Sequence, residues 1–406
     1  MHVLFVEPAF PANQRQFVRG LHAADARVTG IGERPIQYFD PELRSWLYGY
    51  EQIGNVCDEG ALLAAVRRVQ AREWVDRLEA TIEAHILPVA RVREAATIPG
   101  TSVRTAYLCR DKPAMKEALR EAGVPCARST GTSSAEEVRA FAASVGFPII
   151  VKPRAAAGAS GTHRVDDRVG LERIIQEAGI DRGAEVAVEE FIEGHEGFYD
   201  TLTTGGAVAH EFVTHYYPNV LEAMRTRWIS PQFIATNRID APGYDEVKTL
   251  GRKVIETLGI GTSATHMEWF FGPKGLKFSE IGCRPPGVGA WDLYCAGNEM
   301  DLYKEWAMAI VHGRPSQYPS RRFSAGMIAL RPSQDGRISG YAGIDEMHRA
   351  YGEWIIDTHF PPPGTPTQPV EAGYMANAYV RLRHPDYDAL RSMLDTVGRS
   401  VKVFAH

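Results

Sequence analysis

Apolar residues in this chain change their spacing repeatedly, and each change marks where one element gives way to the next. Residues 3–6 form a short apolar run, followed by a Pro/Asn loop, a helical pattern over about 13–24 and a second short run at 28–31. Two such runs joined through a helix predict a small parallel α/β unit at the start of the chain. Over 61–85, Leu62, Val66, Val69, Val75, Leu78 and Ile82 form a stripe among many charges, which predicts one long helix leading out of that unit. A helix over about 113–122 is expected to stop at Gly123, with Pro125 beyond it. Ser134 ahead of Glu136 and Glu137 opens another helix, which ends near Gly146. Strands are predicted at 148–151, 162–165 and 186–192, and a hairpin at 198–204 and 207–214 around Gly205 and Gly206. Val247, Leu250, Val254 and Leu258 mark a helix over 245–258, and strands at 265–271 and 276–281 follow it. After Pro315 the pattern is mixed to the end, with a Pro-rich loop at 361–364 and no internal repeat.

A chain of 406 residues is too long for one ordinary domain, and 44% hydrophobic with 23% charged residues is the composition of a soluble globular protein. The net charge of −5 argues against nucleic acid as the main partner, because phosphate backbones need a basic footprint, whereas a small anion needs only a few local cations. No run is long enough for a membrane span, and the start of the chain reads as a strand and lacks the pattern of a signal peptide. Cys57, Cys109, Cys126, Cys283 and Cys295 form no Cys-x-x-Cys pair, so a reduced cytoplasmic setting is expected. The first unit has no G-x-G-x-x-G, which leaves a dinucleotide site there unsupported.

Three features carry chemistry. Lys152 leaves a strand and is followed by Pro153, Arg154 and a loop of small residues that includes Gly158, Ser160, Gly161 and Thr162. Such a loop lets backbone N–H groups approach phosphate oxygens closely, although alone it reads equally as a surface turn. Next, a strand edge at Glu189, Phe191 and Ile192 offers backbone groups to a base, and Glu196 follows where a carboxylate can accept from sugar hydroxyls. By itself this is an acidic segment after a strand. Third, a three-residue loop at 273–275 with Gly275 left-handed pairs Gly272 with Leu276 and sets Glu268 opposite Glu280. Facing carboxylates call for a cation between them, and oxygen ligands with phosphates suit Mg²⁺. A loop one residue shorter or longer would put the two glutamates on opposite faces.

Taken in order, these residues resemble the ATP-grasp superfamily over roughly residues 106–314. The run Cys109-Arg110-Asp111-Lys112-Pro113 and the later Gly123-Val124-Pro125 are similar to the family's entry helix. By that resemblance Lys112 and Lys152 are the nucleotide-binding lysines and Gly158, Ser160, Gly161 and Thr162 the flap over the phosphates. Glu189, Phe191 and Ile192 match the adenine hinge, and Glu196 matches the ribose carboxylate. Glu268 and Glu280 match the Mg²⁺ ligands, where Mn²⁺ could substitute, and Arg284 with Lys152 matches the catalytic cations. Gly282 departs from the pattern: many members have Asn there, which puts the number of metal ions in doubt.

The resemblance implies a multidomain α/β and α+β chain, an ATP-grasp fold with an N-terminal Rossmann-like unit and a C-terminal mixed domain. Its divisions are 1–105, 106–185, 186–315 and 316–406. It implies an ATP-dependent carboxylate–amine ligase of the biotin-carboxylase-like branch, similar to L-amino-acid ligases, acting through an acyl-phosphate and releasing ADP. The expected partners are small carboxylates and amines, with a homodimer compatible and neither nucleic acid nor membrane involved. Two alternatives stay open: a purine-pathway type of ligase acting on a phosphorylated ribose, and an ATP-binding regulatory protein without turnover. The segment 215–233, with Tyr216, Tyr217, Arg225, Arg227 and Trp228, either reaches over the acceptor site or packs as a helix and loop.

Overall fold

The computed structural model describes residues 1–154, 161–375 and 377–406. The chain begins with four strands, β1 (His2–Val6), β2 (Arg27–Gly32), β3 (Gly49–Gln52) and β4 (Arg77–Glu79), in a parallel sheet of order β3-β2-β1-β4. Helices Gln14–Ala23, Pro41–Trp46 and Glu59–Gln70 make the crossovers that parallel neighbours require. The single long helix expected over 61–85 is not formed. The helix stops at Gln70, Leu78 joins β4 beside Leu4, and a new helix, Glu83–Ala96, follows. The sequence between has neither Gly nor Pro to signal the break. The open second edge of β1 takes β4, and the Asp76 carboxylate accepts the His2 N–H at 2.7 Å.

Four more strands, β5 (Ser129–Thr132), β6 (Ile149–Pro153), β7 (His163–Val165) and β8 (Val186–Glu190), form an antiparallel sheet of order β5-β8-β6-β7. Helices Ala135–Val145 and Arg168–Glu177 cover one face, where Val138, Ile149, Val151, Leu171 and Val188 are buried together. Strand alternation turns Ile150, Lys152 and Glu189 to the other face.

The remaining chain builds an eight-stranded sheet. Its strands are β9 (His195–Thr204), β10 (Ala207–Tyr217), β11 (Gln232–Ala235), β12 (Ser263–Gly272), β13 (Gly275–Gly282) and β14 (Ser324–Leu330), then, after β15 (Ile338–Ala342), β16 (Ile355–His359) and β17 (Ala378–His384). The order is β13-β12-β9-β10-β11-β14-β17-β16, while β15 pairs with β18 (Lys402–Ala405). The C-terminal strands thus extend the same sheet that holds β12 and β13. One face packs Tyr199, Val213, Met267 and Trp269 against helix Asp245–Leu258. The other packs Phe198, Phe212 and Phe233 against helices Ala290–Asn298 and Leu302–His312. Those helices also bind the N-terminal unit: the Phe17 ring lies 5.2 Å from Trp291, 5.0 Å from Tyr303 and 5.2 Å from Trp306. The parallel sheet is therefore fixed against the large sheet beside β12 and β13. Among the described residues no helix is long and apolar enough to cross a membrane.

Candidate active site

β12 and β13 are joined by Pro273 and Lys274 alone, with Gly272 paired to Gly275, whose φ of 75° is left-handed. The sequence predicts a loop one residue longer. Run straight, the shorter loop would set Glu268 opposite Ser279 and turn Glu280 to the far face. A bulge beside Glu268 and Trp269 adds one residue on β13, so Glu268 still faces Glu280.

Lysines from the helix Lys112–Glu121 and from β6 of the smaller sheet meet these glutamates. Lys112 Nζ lies 3.4 Å from Glu280 Oε2, and Lys152 Nζ lies 3.9 Å from the same oxygen. Lys152 also lies 3.0 Å from Glu189 Oε2, to which Lys116 comes within 2.6 Å. The result is an alternating chain: Lys116, Glu189, Lys152, Glu280, Lys112. Burial on its own would raise the Glu189 carboxyl, but Lys116 and Lys152 hold it at about 2. Burial likewise opposes the charge of Lys152, and Glu189 and Glu280 more than compensate, raising its pKa. Glu280 is lowered by Lys112 and Lys152 against its own burial. Asp111, which caps the helix Lys112–Glu121 through the Ala114 N–H at 2.9 Å, also accepts from Arg154 Nε at 2.6 Å and so fixes the entry to the loop after β6.

Arg284 follows β13 and turns toward the N-terminal unit. Its Nε donates to Glu83 Oε2 at 2.8 Å and its Nη1 to the Pro285 carbonyl at 2.8 Å, while Arg110 donates to the Glu83 carbonyl at 2.8 Å. Beside Arg284 a small cavity is lined by Thr81, Ile86, Cys283, Pro285 and Trp306, at the C-terminal end of β4.

On the sheet face of Glu268 lies a polar group that sequence reasoning missed. His266 Nδ1 is 2.7 Å from Asp200 Oδ1, Tyr294 donates to Asp200 Oδ2 at 2.5 Å, and His266 Nε2 stands 3.8 Å from Glu268. Burial opposes a charge on His266, yet Asp200 raises it to about 9. His266 pairs across the strands with Gly282. Lys116 was missed too. The available signals were modest: Lys116 is one helical turn beyond Lys112, and His266 is two strand positions before Glu268.

At the other end, Arg164 lies over the Phe191 ring at 4.5 Å and Ile192 is buried. Glu196 is buried, accepts the Val220 N–H at 2.7 Å, and is pushed up to about 8 by burial and by the charge of Glu268. Gly161 and Thr162 precede β7, with Gly161 at a φ of 69°; Gly158 and Ser160 lie outside the described residues. In the segment 215–233, the first residues complete β10 and Val220–Ala223 is a short helix. Tyr216 and Tyr217 are therefore sheet residues, Arg227 pairs with Asp335 at 2.6 Å, and Arg225 and Trp228 stand out into solvent, Trp228 being 86% exposed.

Among the described residues no three His, Cys, Asp or Glu side chains cluster to hold a metal unaided. Two facing carboxylates whose remaining ligands come from phosphate fit Mg²⁺, which keeps few protein ligands. The donor set therefore suits a metal brought with a nucleotide.

Residues 117–299 match the family model described as an ATP-grasp domain. The chain is 26% identical over 284 residues to the L-arginine-specific L-amino acid ligase of Bacillus subtilis, covering 68% of each. Its structure superposes on the L-amino acid ligase of Bacillus licheniformis with a TM-score of 0.77 at 16% identity, covering 100% of this chain and 98% of that one. N5-carboxyaminoimidazole ribonucleotide synthetase of Thermotoga maritima gives a TM-score of 0.71 at 16% identity, covering 100% and 99%. These likenesses establish the ATP-grasp fold.

Proposed function

We infer that this chain, a member of the ATP-grasp family, is an ATP-dependent carboxylate–amine ligase that releases ADP and phosphate and works through an acyl-phosphate. The observation that carries the reading is the convergence of Lys112, from the helix Lys112–Glu121, and Lys152, from β6 of the smaller sheet, on Glu280 of the large sheet, which Glu268 faces across the strands. Phosphoryl transfer needs little beyond positioning and cations, because charge spreads over the oxygens of the moving group. Lys112 and Lys152 would bind the phosphates, with the Gly161–Thr162 backbone beside them. Mg²⁺, when bound through Glu268 and Glu280, would neutralise charge on the phosphate oxygens. Arg284, steadied by Glu83, would hold the substrate carboxylate at the cavity beside Thr81. The carboxylate oxygen attacks the γ-phosphorus and ADP leaves; an amine then adds to the acyl carbon and phosphate leaves.

At the base end, Glu189 Oε1 is buried with no hydrogen-bond partner among the described residues. It is an acceptor suited to the exocyclic amine of adenine, and Glu196 lies where ribose hydroxyls can donate. A phosphorylated ribose substrate is disfavoured: Arg15, the one cation of residues 8–16, is already paired with Asp40 and Glu42. We place the enzyme in the cytoplasm, a reading supported by five cysteines that are all free. A phosphate-release screen with ATP and Mg²⁺ over pools of carboxylates and amines tests the proposal: release must require both a carboxylate and an amine for full turnover. Release that ignores both would overturn it.

A further inference from the structure

Lys112 and Lys116 stand one turn apart on the same side of the helix Lys112–Glu121, yet they differ in setting. Lys116 is 1% exposed, far from any solvent that could serve its charge, and its Nζ lies 2.6 Å from Glu189 Oε2. Lys152 lies 3.0 Å from that same oxygen. Two ammonium groups therefore crowd one oxygen of a 5%-exposed carboxylate, while the other oxygen, Oε1, is buried and has no hydrogen-bond partner among the described residues. A buried acceptor left unmade is costly, so a fold that holds one in a cleft leaves it to be completed by something that binds there.

Lys116 is what fixes this arrangement. With Lys152 as its only partner, Glu189 could rotate to offer both oxygens to one ammonium group. That would remove the free acceptor and draw Lys152 away from Glu280 and from any phosphate. Lys116 holds Oε2 together with Lys152, so the carboxylate stays ionised and Oε1 stays clear of both ammonium groups. An ionised oxygen accepts hydrogen bonds and never donates. It welcomes the exocyclic amine of adenine and repels the carbonyl oxygen that guanine carries at the same position.

We propose that Lys116 is a positioning residue that sets base selectivity, holding Glu189 so that its free oxygen admits an amino-purine and rejects an oxo-purine. The proposal rests on the reading of this cleft as a nucleotide site. The experiment is calorimetric titration of the full chain with MgADP and with MgGDP, each variant first checked for a cooperative melt. The wild-type protein is expected to bind MgADP more tightly than MgGDP. Lys116→Met should reduce the ratio of the two affinities by roughly five- to tenfold, the worth of one hydrogen bond between base and protein. The loss should fall mainly on MgADP, and Lys116→Arg should restore the ratio. In a Glu189→Gln background, Lys116→Met should leave the ratio unchanged, because its action passes through Glu189. If the methionine variant does not fold, Lys116→Gln must lower the ratio in its place. An unchanged ratio in the folded variant, or equal losses for both nucleotides, would overturn the role of Lys116. Failure of the wild-type protein to bind either nucleotide would instead overturn the reading of the cleft.

Discussion

Glu189 and Glu196 lie on one short stretch of chain, both nearly out of solvent, and they settle at opposite ends of the carboxyl range. Glu189 belongs to the lysine-lined face of the smaller sheet and is held at about 2 by Lys116 and Lys152. Glu196 belongs to the acidic face of β9 and β12 and is pushed up to about 8 by burial and by Glu268. Burial is common to both, so it does not decide the outcome. The sign of the nearest charge does. One side of the cleft is thus set up to receive anions and the other to lack a cation, which is the condition a nucleotide with its metal would satisfy on both sides at once.

The largest expected effect comes from removing the link between the two sides. Glu280→Ala takes away the shared partner of Lys112 and Lys152 and a proposed metal ligand, and should lower ATP-dependent turnover by at least ~100-fold with the melt preserved. Near-wild-type rates at saturating Mg²⁺ would break the assignment. Arg284→Lys replaces a planar fork by a point charge and should cost roughly tenfold or more in kcat, with KM for ATP little changed. Glu196→Ala should act mostly on KM for ATP, since ribose contacts serve ground and transition states alike. A kcat loss at unchanged KM would place Glu196 in the chemistry.

The contrast also makes a pH prediction of opposite sign for the two carboxyls. Glu196 has a folded pKa above its unfolded value, so its contribution is fully present below about pH 4 and is lost as the pH rises toward about 8. Glu196→Gln, which stays neutral, should flatten the fall in melting temperature between pH 5 and 8. Glu189 has a depressed pKa, so its contribution is present above the unfolded value and is lost only as the pH falls toward about 2. The smallest effect is expected from Arg164→Ala, which removes a cation over Phe191 and should weaken ATP binding only a few-fold, about 0.5–1 kcal/mol at an exposed site.

Much of this architecture was legible where local pattern and turn chemistry agree. The hairpin at Gly205 and Gly206, the cap at Ser134 and the helix Asp245–Leu258 all follow from short-range signals. β4 was not legible, because nothing between Gln70 and Arg77 punctuates the helical stripe and the demand for a strand comes from β1. Nor was the joining of β14, β16 and β17 to the sheet of β12, since strand order is a long-range property. Within the site, Lys112, Lys152, Glu268, Glu280 and Arg284 could be picked out by spacing and resemblance. Glu83, Asp200 and Tyr294 could not: Glu83 meets Arg284 across 201 residues and Tyr294 meets Asp200 across 94.

In the proposed mechanism the cations and carboxylates of both sides serve the terminal phosphate of ATP. Chromatography of the nucleotide pool after turnover with a productive carboxylate and amine tests it directly. ADP and free phosphate appearing one-for-one with ligated product is the result the account predicts; AMP and pyrophosphate rising in step with product would contradict it.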